Sequence, residues 1–194
     1  FSAREVAHLF LTDSAAMAQR LVRGKRSLRE SGLSLSAPFD NEVASNLDTV
    51  LAALYGMFNE GYKASEGDRL VREELCDEAI RLAEILAEHP SADRPETHAL
   101  LSLCYFQHSR LPARVGLAGS LLTLEEQDRS QWNREDINRG LRYLELASTG
   151  DKLTRYHLEA GIASVHATSE SYDNTNWERV LELYDALKEI EPSP

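Results

Sequence analysis

Residues 95–108, PETHALLSLCYFQH, decide the fold class of this chain. Pro95 suits the first turn of a helix, where a backbone N–H has no intrahelical acceptor to lose. Behind it, Leu100, Leu103, Cys104 and Phe106 spread apolar groups almost all round the helix instead of along one stripe. A helix without a polar face needs cover on every side, so it belongs at the centre of a domain. Helical signals flank it in both directions. Val43, Leu47, Val50, Leu51 and Leu54 keep a helical period up to Phe58, and Leu70, Leu75, Ala79, Leu82, Ala83 and Leu86 mark a second helix that ends before Pro90. Downstream, Ile137, Leu141, Leu144 and Ala147 mark a helix stopped at Gly150; residues 156–167 and 177–190 make two more.

One stretch departs from this period. Pro112, Gly116 and Gly119 break residues 111–124, and Val115 with Leu121–Leu124 can pair as a small β-hairpin. In the last helix Trp177, Val180, Leu181 and Tyr184 take the spacing that opens a tetratricopeptide repeat, with Leu181 where that repeat has Gly. Such helix pairs bury only part of their apolar faces alone and stack into arcs. Pro194 falls before the second helix of that unit. The fold class expected is all-α: a short helix-turn-helix piece, then a TPR-like bundle of about six helices.

The front of the chain differs in charge. Between Ser14 and Arg29 stand five basic residues, Arg20, Arg23, Lys25, Arg26 and Arg29, and no acidic one. Residues 31–194 hold 15 Lys and Arg against 29 Asp and Glu, a net of −14 within a chain of −11. An acidic body repels DNA phosphates, so nucleic-acid contact is expected only at the front. Ser2 with Glu5 has capping-box spacing, Val6, Leu9 and Phe10 form one apolar face, and Thr12-Asp13-Ser14 offers cap oxygens to a second helix. In that helix Met17, Leu21 and Leu28 share a stripe with Gly24, while Gln19, Arg20, Arg23 and Arg26 lie elsewhere. Two short helices joined by three polar residues, the second basic, form the helix-turn-helix pattern. Gly32 ends the helix and Pro38 forbids its continuation, which divides the chain into a helix-turn-helix piece (1–31), a linker (32–40) and a helical extension (41–194).

Composition excludes several classes. No apolar run approaches the ~20 residues that span a bilayer, and no signal segment leads the chain. Cys76 and Cys104 are too few for a disulfide framework and read as buried thiols of a cytoplasmic protein. The six histidines include no i,i+4 pair, and His166 sits in an apolar stretch as a core histidine. No cofactor or metal is expected. Glu60 with Asp128 is a conceivable carboxylate pair and Tyr62 a conceivable proton donor, yet nothing orders them as nucleophile, base and orienter, so no enzyme is expected.

The string REVAHLFLTDSAAMAQRLVRGKRSLRESGL (4–33) resembles the closing part of the promoter-binding domain of extracytoplasmic-function sigma factors of RNA polymerase. FNEGYKAS (58–65), LVREELCDEAIRL (70–82), RLPAR (110–114), LEEQDRSQWN (124–133) and NTNWERVLELYDAL (174–187) resemble the C-terminal extension of one subgroup of those factors. The resemblance implies that the polymerase-binding domain and the start of the promoter-binding domain precede Phe1. It also implies that Ser14, Gln19, Arg20 and Arg23 face the major groove, with Lys25, Arg26 and Arg29 nearer the phosphates. Arg pairs with guanine, Gln with adenine, and basic groups neutralise phosphate. Ala18 stands where related recognition helices carry Lys, so the base-reading pattern is not a direct copy. Promoter DNA and the RNA polymerase core are the implied partners, with no membrane.

The extension also carries Asn59, Glu60, Tyr62, Arg72, Arg114, Gln127, Asp128, Arg129 and Trp132. Two readings suit them. One is a buried network in which Arg129 or Arg114 forks onto Glu60 or Asp128 under Trp132. The other is a groove for a small ligand or a regulatory protein. Function is then promoter recognition by the front helices and regulation by the acidic extension. The alternative is a stand-alone helical-repeat scaffold for a protein partner.

Overall fold

The helix begun by Pro95 runs from Pro95 to His108, and Thr97 and every residue from Ala99 to Phe106 are buried. The structure, a computed structural model, describes residues 1–32 and 40–191. Eight α-helices occur among the described residues, and the chain is all-α. The helices are α1 (Ala3–Leu9), α2 (Ser14–Glu30), α3 (Asp40–Tyr62), α4 (Glu73–Glu88), α5 (Pro95–His108), α6 (Arg134–Ala147), α7 (Arg155–Thr168) and α8 (Trp177–Ile190). Consecutive helices pair, α3 with α4, α5 with α6 and α7 with α8, and the pairs stack through α5 on α7. Most of the expected linker, residues 33–39, lies outside the described residues; Gly32 at its start adopts φ +63°, the left-handed helix ending expected of it.

Central burial of α5 requires its polar groups to be satisfied inside. Ser102 Oγ donates to the Gly140 carbonyl of α6 at 2.8 Å. Gly140 permits that approach, since a Cβ there would sit 2.8 Å from the Phe106 ring. Leu51, Leu54 and Phe58 of α3, Cys76, Ala79 and Ile80 of α4, and Tyr156, Ala160 and Ala163 of α7 complete the core. Burial pushes the Cys76 thiol up to about 12 and raises that of Cys104 well above the usual thiol value, so both stay as neutral apolar groups. A smaller cluster, Leu158, Ile162, Val180 and Leu183, seats α8 on the outer side of α7.

The expected hairpin shrinks to a single bridge. Val115 pairs with Leu121 across a turn in which Gly119 has φ +70°. Pairing stops there because Thr123 N and Oγ1 both donate to Glu126 Oε2 at 2.8 Å, which starts a helical turn. The second helix also starts later than its apolar pattern: Leu70 lies ahead of α4, with its carbonyl accepting from Ala64 N at 3.0 Å. The connection from α5 to α6 closes on itself, Asn133 N donating to the Ser109 carbonyl at 2.8 Å.

His108, in the last turn of α5, staples three helices. Its Nδ1 lies 2.8 Å from Asp136 Oδ2 of α6 and its Nε2 3.0 Å from Asp77 Oδ1 of α4. Burial pulls its pKa down, but the Asp136 hydrogen bond and the charges of Asp136 and Asp77 outweigh that and hold it above the usual histidine value. Its stabilisation is therefore complete below about pH 6.5, the unfolded value, and is lost as pH rises through the raised folded value. His108→Gln is expected to destabilise the fold more at pH 6 than at pH 8.5, measured by urea unfolding at both; an equal loss at the two contradicts the ion-pair staple.

Glycines make a second contrast. A Cβ on Gly61 would meet Cys76 Sγ at 2.7 Å and the Cys76 backbone N at 2.8 Å, whereas one on Gly24 meets nothing within 4 Å. Gly61→Ala is expected to cost about 1–3 kcal/mol by urea unfolding, because α4 must shift. Gly24→Ala is expected to stabilise α2 by about 0.5–1 kcal/mol, read as added hydrogen-exchange protection of its amides.

Candidate functional site: a cationic helix face and a buried arginine cluster

The α1–α2 pair forms as its caps dictate. Ser2 and Glu5 complete the capping box of α1, and Asp13 Oδ1 accepts from Ala15 N and Ala16 N, both at 2.9 Å, to start α2. Ala7 on α1 and Met17 on α2 are the buried residues of this pair, and the two helices pack together. All the nominated positions on α2 are exposed: Ser14, Gln19, Arg20, Arg23, Lys25, Arg26 and Arg29. Arg26 pairs along its own helix with Glu30 at 2.8 Å. Among the described residues Arg20, Arg23, Lys25 and Arg29 make no ion pair. Gln19, Arg23 and Arg26 follow at intervals of four and three, which places them on one face.

This pair is held to the extension by α1. Arg72 Nη1 donates to Glu5 Oε1 at 2.7 Å, and Arg4 pairs with Glu66. The Ser2 backbone bond first, and then Arg72, hold the Glu5 carboxyl below the usual range. Leu9 fits over Gly56 of α3, where a Cβ would lie 2.4 Å from Leu9 Cδ2. Arg72 is thereby drawn away from the other nominated extension residues, and the nominated side chains of α2 stay exposed.

The remaining extension residues gather around the α5–α6 connection, in a different pairing from that expected. Glu60 is buried and accepts from Ser65 N at 2.9 Å, closing the loop after α3. Asn59 is part-buried one residue before it in α3. Asp128 caps the short turn 129–131, accepting from Ser130 N at 2.9 Å, Ser130 Oγ at 2.7 Å and Gln131 Nε2 at 3.0 Å. With both carboxylates consumed locally, no arginine forks onto either. Arg114 instead lies 3.6 Å over the Tyr62 ring and donates Nε to the Tyr62 carbonyl at 3.0 Å. Arg129 Nη1 donates to the carbonyls of His166 at 2.6 Å and Ser169 at 3.0 Å, at the negative end of α7. The Trp132 ring lies 4.5 Å from that guanidinium, as the covering role predicts. Gln127 is buried, its Nε2 donating to the Leu122 carbonyl at 3.1 Å.

Arg110, Gln107, His166 and Glu159 were not among the nominated residues, yet the fold brings them to one cleft of about 350 Å³ beside α8. Arg110 is 6% exposed and donates Nη2 to Gln107 Oε1. No carboxylate among the described residues pairs with it. Arg110 Nε, Arg129 Nη2, Trp132 Nε1 and His166 Nδ1 are buried without a partner. Burial, then Arg110 and Arg129, depress the His166 pKa to about 4, so its ring is neutral at physiological pH. The sequence signal for Arg110 was weak, a cation beside a proline in a broken stretch. A larger cleft of about 470 Å³ near Pro95 differs in charge: its Lys152 already reaches Asp48 at 3.2 Å and Glu96 at 3.6 Å. Among the described residues no group of three His, Cys, Asp or Glu side chains is placed to hold a metal, and no helix is long and apolar enough to cross a membrane.

Residues 46–148, from within α3 to the end of α6, match the Family of unknown function (DUF6596). An uncharacterized protein of Rhizobium meliloti (strain 1021) is 38% identical over 193 residues, covering 100% of this chain. The chain spans 45% of that relative's length. No solved structure matches the chain. The family match covers just over half of the residues and contains the central helix with α4, α6 and most of α3, and the chain belongs to the Family of unknown function (DUF6596).

Proposed function

We propose that this chain is the C-terminal portion of an extracytoplasmic-function sigma factor, acting in the cytoplasm on promoter DNA together with the RNA polymerase core. One observation carries the reading. A short capped helix and a tight turn lead into a helix whose Arg20, Arg23, Lys25 and Arg29 are exposed and free of ion pairs among the described residues. Five cations on one 17-residue helix repel each other, and a duplex backbone relieves that repulsion while releasing counterions. The likeness of residues 4–33 to the promoter-binding domain adds the orientation, with Ser14, Gln19, Arg20 and Arg23 toward bases and Lys25, Arg26 and Arg29 toward phosphates. Phe1, Phe10, Val22 and Leu28 are exposed on the same pair, apolar surface of the kind that packs against further helices.

In this reading the extension positions the reader and carries regulation, without catalysis. Docking through Glu5–Arg72 leaves the cations of α2 open. The exposure of these cations favours an extension that positions the reader over one that covers it. A second reading, a helical-repeat scaffold for a protein partner, is favoured by one feature: Trp177, Leu181 and Tyr184 form an exposed apolar stripe on α8.

The triple variant Arg20→Ala/Arg23→Ala/Arg26→Ala is expected to weaken DNA binding about tenfold or more in fluorescence anisotropy. The slope of log affinity against log salt is expected to fall by about 2–3. Lys188→Ala, on α8, is the control expected to bind as the parent does. A triple variant with unchanged affinity and slope overturns the reading.

A further inference from the structure

We infer that the cleft between the end of α5, α7 and α8 binds a small organic carboxylate, its anionic head on Arg110 and its apolar body against Ile162 and Tyr184. The inference is independent of the DNA-binding reading, because none of these residues lies on α1 or α2.

A guanidinium taken out of water needs a compensating charge or a full set of acceptors. Arg129, its neighbour, obtains the negative end of α7 through two carbonyls. Arg110 obtains one acceptor, the Gln107 side-chain oxygen, beside the rings of Tyr62 at 5.9 Å and Trp132 at 6.0 Å, and its Nε is without a partner. The surrounding charges do not compensate it. Burial is the larger cause that lowers the Arg110 pKa, with Tyr62 opposing it and Arg114 adding to it, and burial followed by Arg110 lowers that of Arg129. The one acid lining the cleft, Glu159, is already engaged, accepting from the Tyr55 hydroxyl and from Arg155 Nη2 at 3.1 Å. The result is a concentrated positive potential at the floor of a cleft. His166 adds a polar edge there, with a buried Nδ1 that has no protein partner.

The walls set the class of ligand. Leu124, Ile162 and Ala163 line the cleft, and Tyr184, 54% exposed, stands at its mouth. A volume of about 350 Å³ is at the small end of ligand sites, enough for an anionic head and one ring or short chain. The planar fork of Arg110 suits a planar carboxylate, and the apolar walls suit a carbon body better than a bare inorganic ion.

Benzoate and inorganic phosphate serve as probes on the 194-residue chain, followed by NMR of the His166 ring. Benzoate is expected to bind saturably, with a dissociation constant on the order of 1 mM for so small a ligand. It is expected to raise the His166 pKa from its value of about 4, since the bound anion offsets the two neighbouring cations. Arg110→Met is expected to weaken benzoate at least about tenfold without lowering the thermal midpoint, because it replaces an uncompensated buried charge with an apolar chain of similar length. Tyr184→Ala, at an exposed position that does not threaten folding, is expected to weaken benzoate while leaving acetate unchanged. Absence of a saturable His166 response to benzoate overturns the site. So does undiminished binding by Arg110→Met, and so does phosphate binding more tightly than benzoate.

Discussion

A helix with no polar face cannot lie on a surface, and α5 imposes that condition on everything around it. Nine of its residues are buried, so α3, α4, α6 and α7 must each present an apolar stripe to it. The requirement explains the small residues at the contacts. Gly140 lets α6 come close enough for its carbonyl to take the Ser102 hydroxyl, and Ala160 and Ala163 do the same for α7. It also explains why the helix ends are polar. Tyr105 reaches outward to Glu84, and His108 ties Asp77 and Asp136 together. The family match, residues 46–148, covers α5 with α4, α6 and most of α3, and α7 lies beyond it.

Where α5 stops, its backbone leaves the core and the α5–α6 connection begins. Arg110 is the second residue past the helix, so it inherits the burial of the core, with its backbone satisfied by Gln107 and Ala113 and its Nε by nothing among the described residues. The connection returns at Trp132 and Asn133, which brings Arg129 under the end of α7 and Trp132 between two guanidiniums, 4.5 and 6.0 Å from its ring. A dense positive cluster inside an acidic chain is therefore a consequence of where one helix ends and another begins. The cost of holding such charge out of water is of the kind that functional sites carry.

The charge division along the chain has a matching spatial form. Cations needed for the fold are spent on carbonyls, aromatic rings and carboxylates: Arg72 on Glu5, Arg114 on Tyr62, Arg155 on Glu159. Those of α2, apart from the local Arg26–Glu30 pair, are spent on nothing among the described residues. Attachment to the extension runs through α1, by Leu9 over Gly56 and the Arg72 ion pair, and the cations of α2 stay exposed.

Local chemistry was legible in the sequence. The capping box of Ser2 and Glu5, the cap at Asp13, the left-handed Gly32, the opening of α5 at Pro95 and the apolar periods of six later helices all depend on residues within one or two turns of each other. The exposure of Arg23 was legible for the same reason, about a third of a turn round the helix from Met17, whereas Arg20 borders the Met17 stripe and is exposed only because no further helix among the described residues covers it there. Partner choice was not. Glu60 and Asp128 looked like natural acceptors for Arg114 and Arg129, but each carboxylate found a backbone N–H within five residues, at far smaller entropic cost. Arg129 then paired with carbonyls 37 and 40 residues away, Arg114 with Tyr62 at a separation of 52, and Arg72 with Glu5 at 67. Only the packing of helices decides which side chains separated by such distances meet, because periodicity fixes the face of a helix and carries no information about which face it will meet.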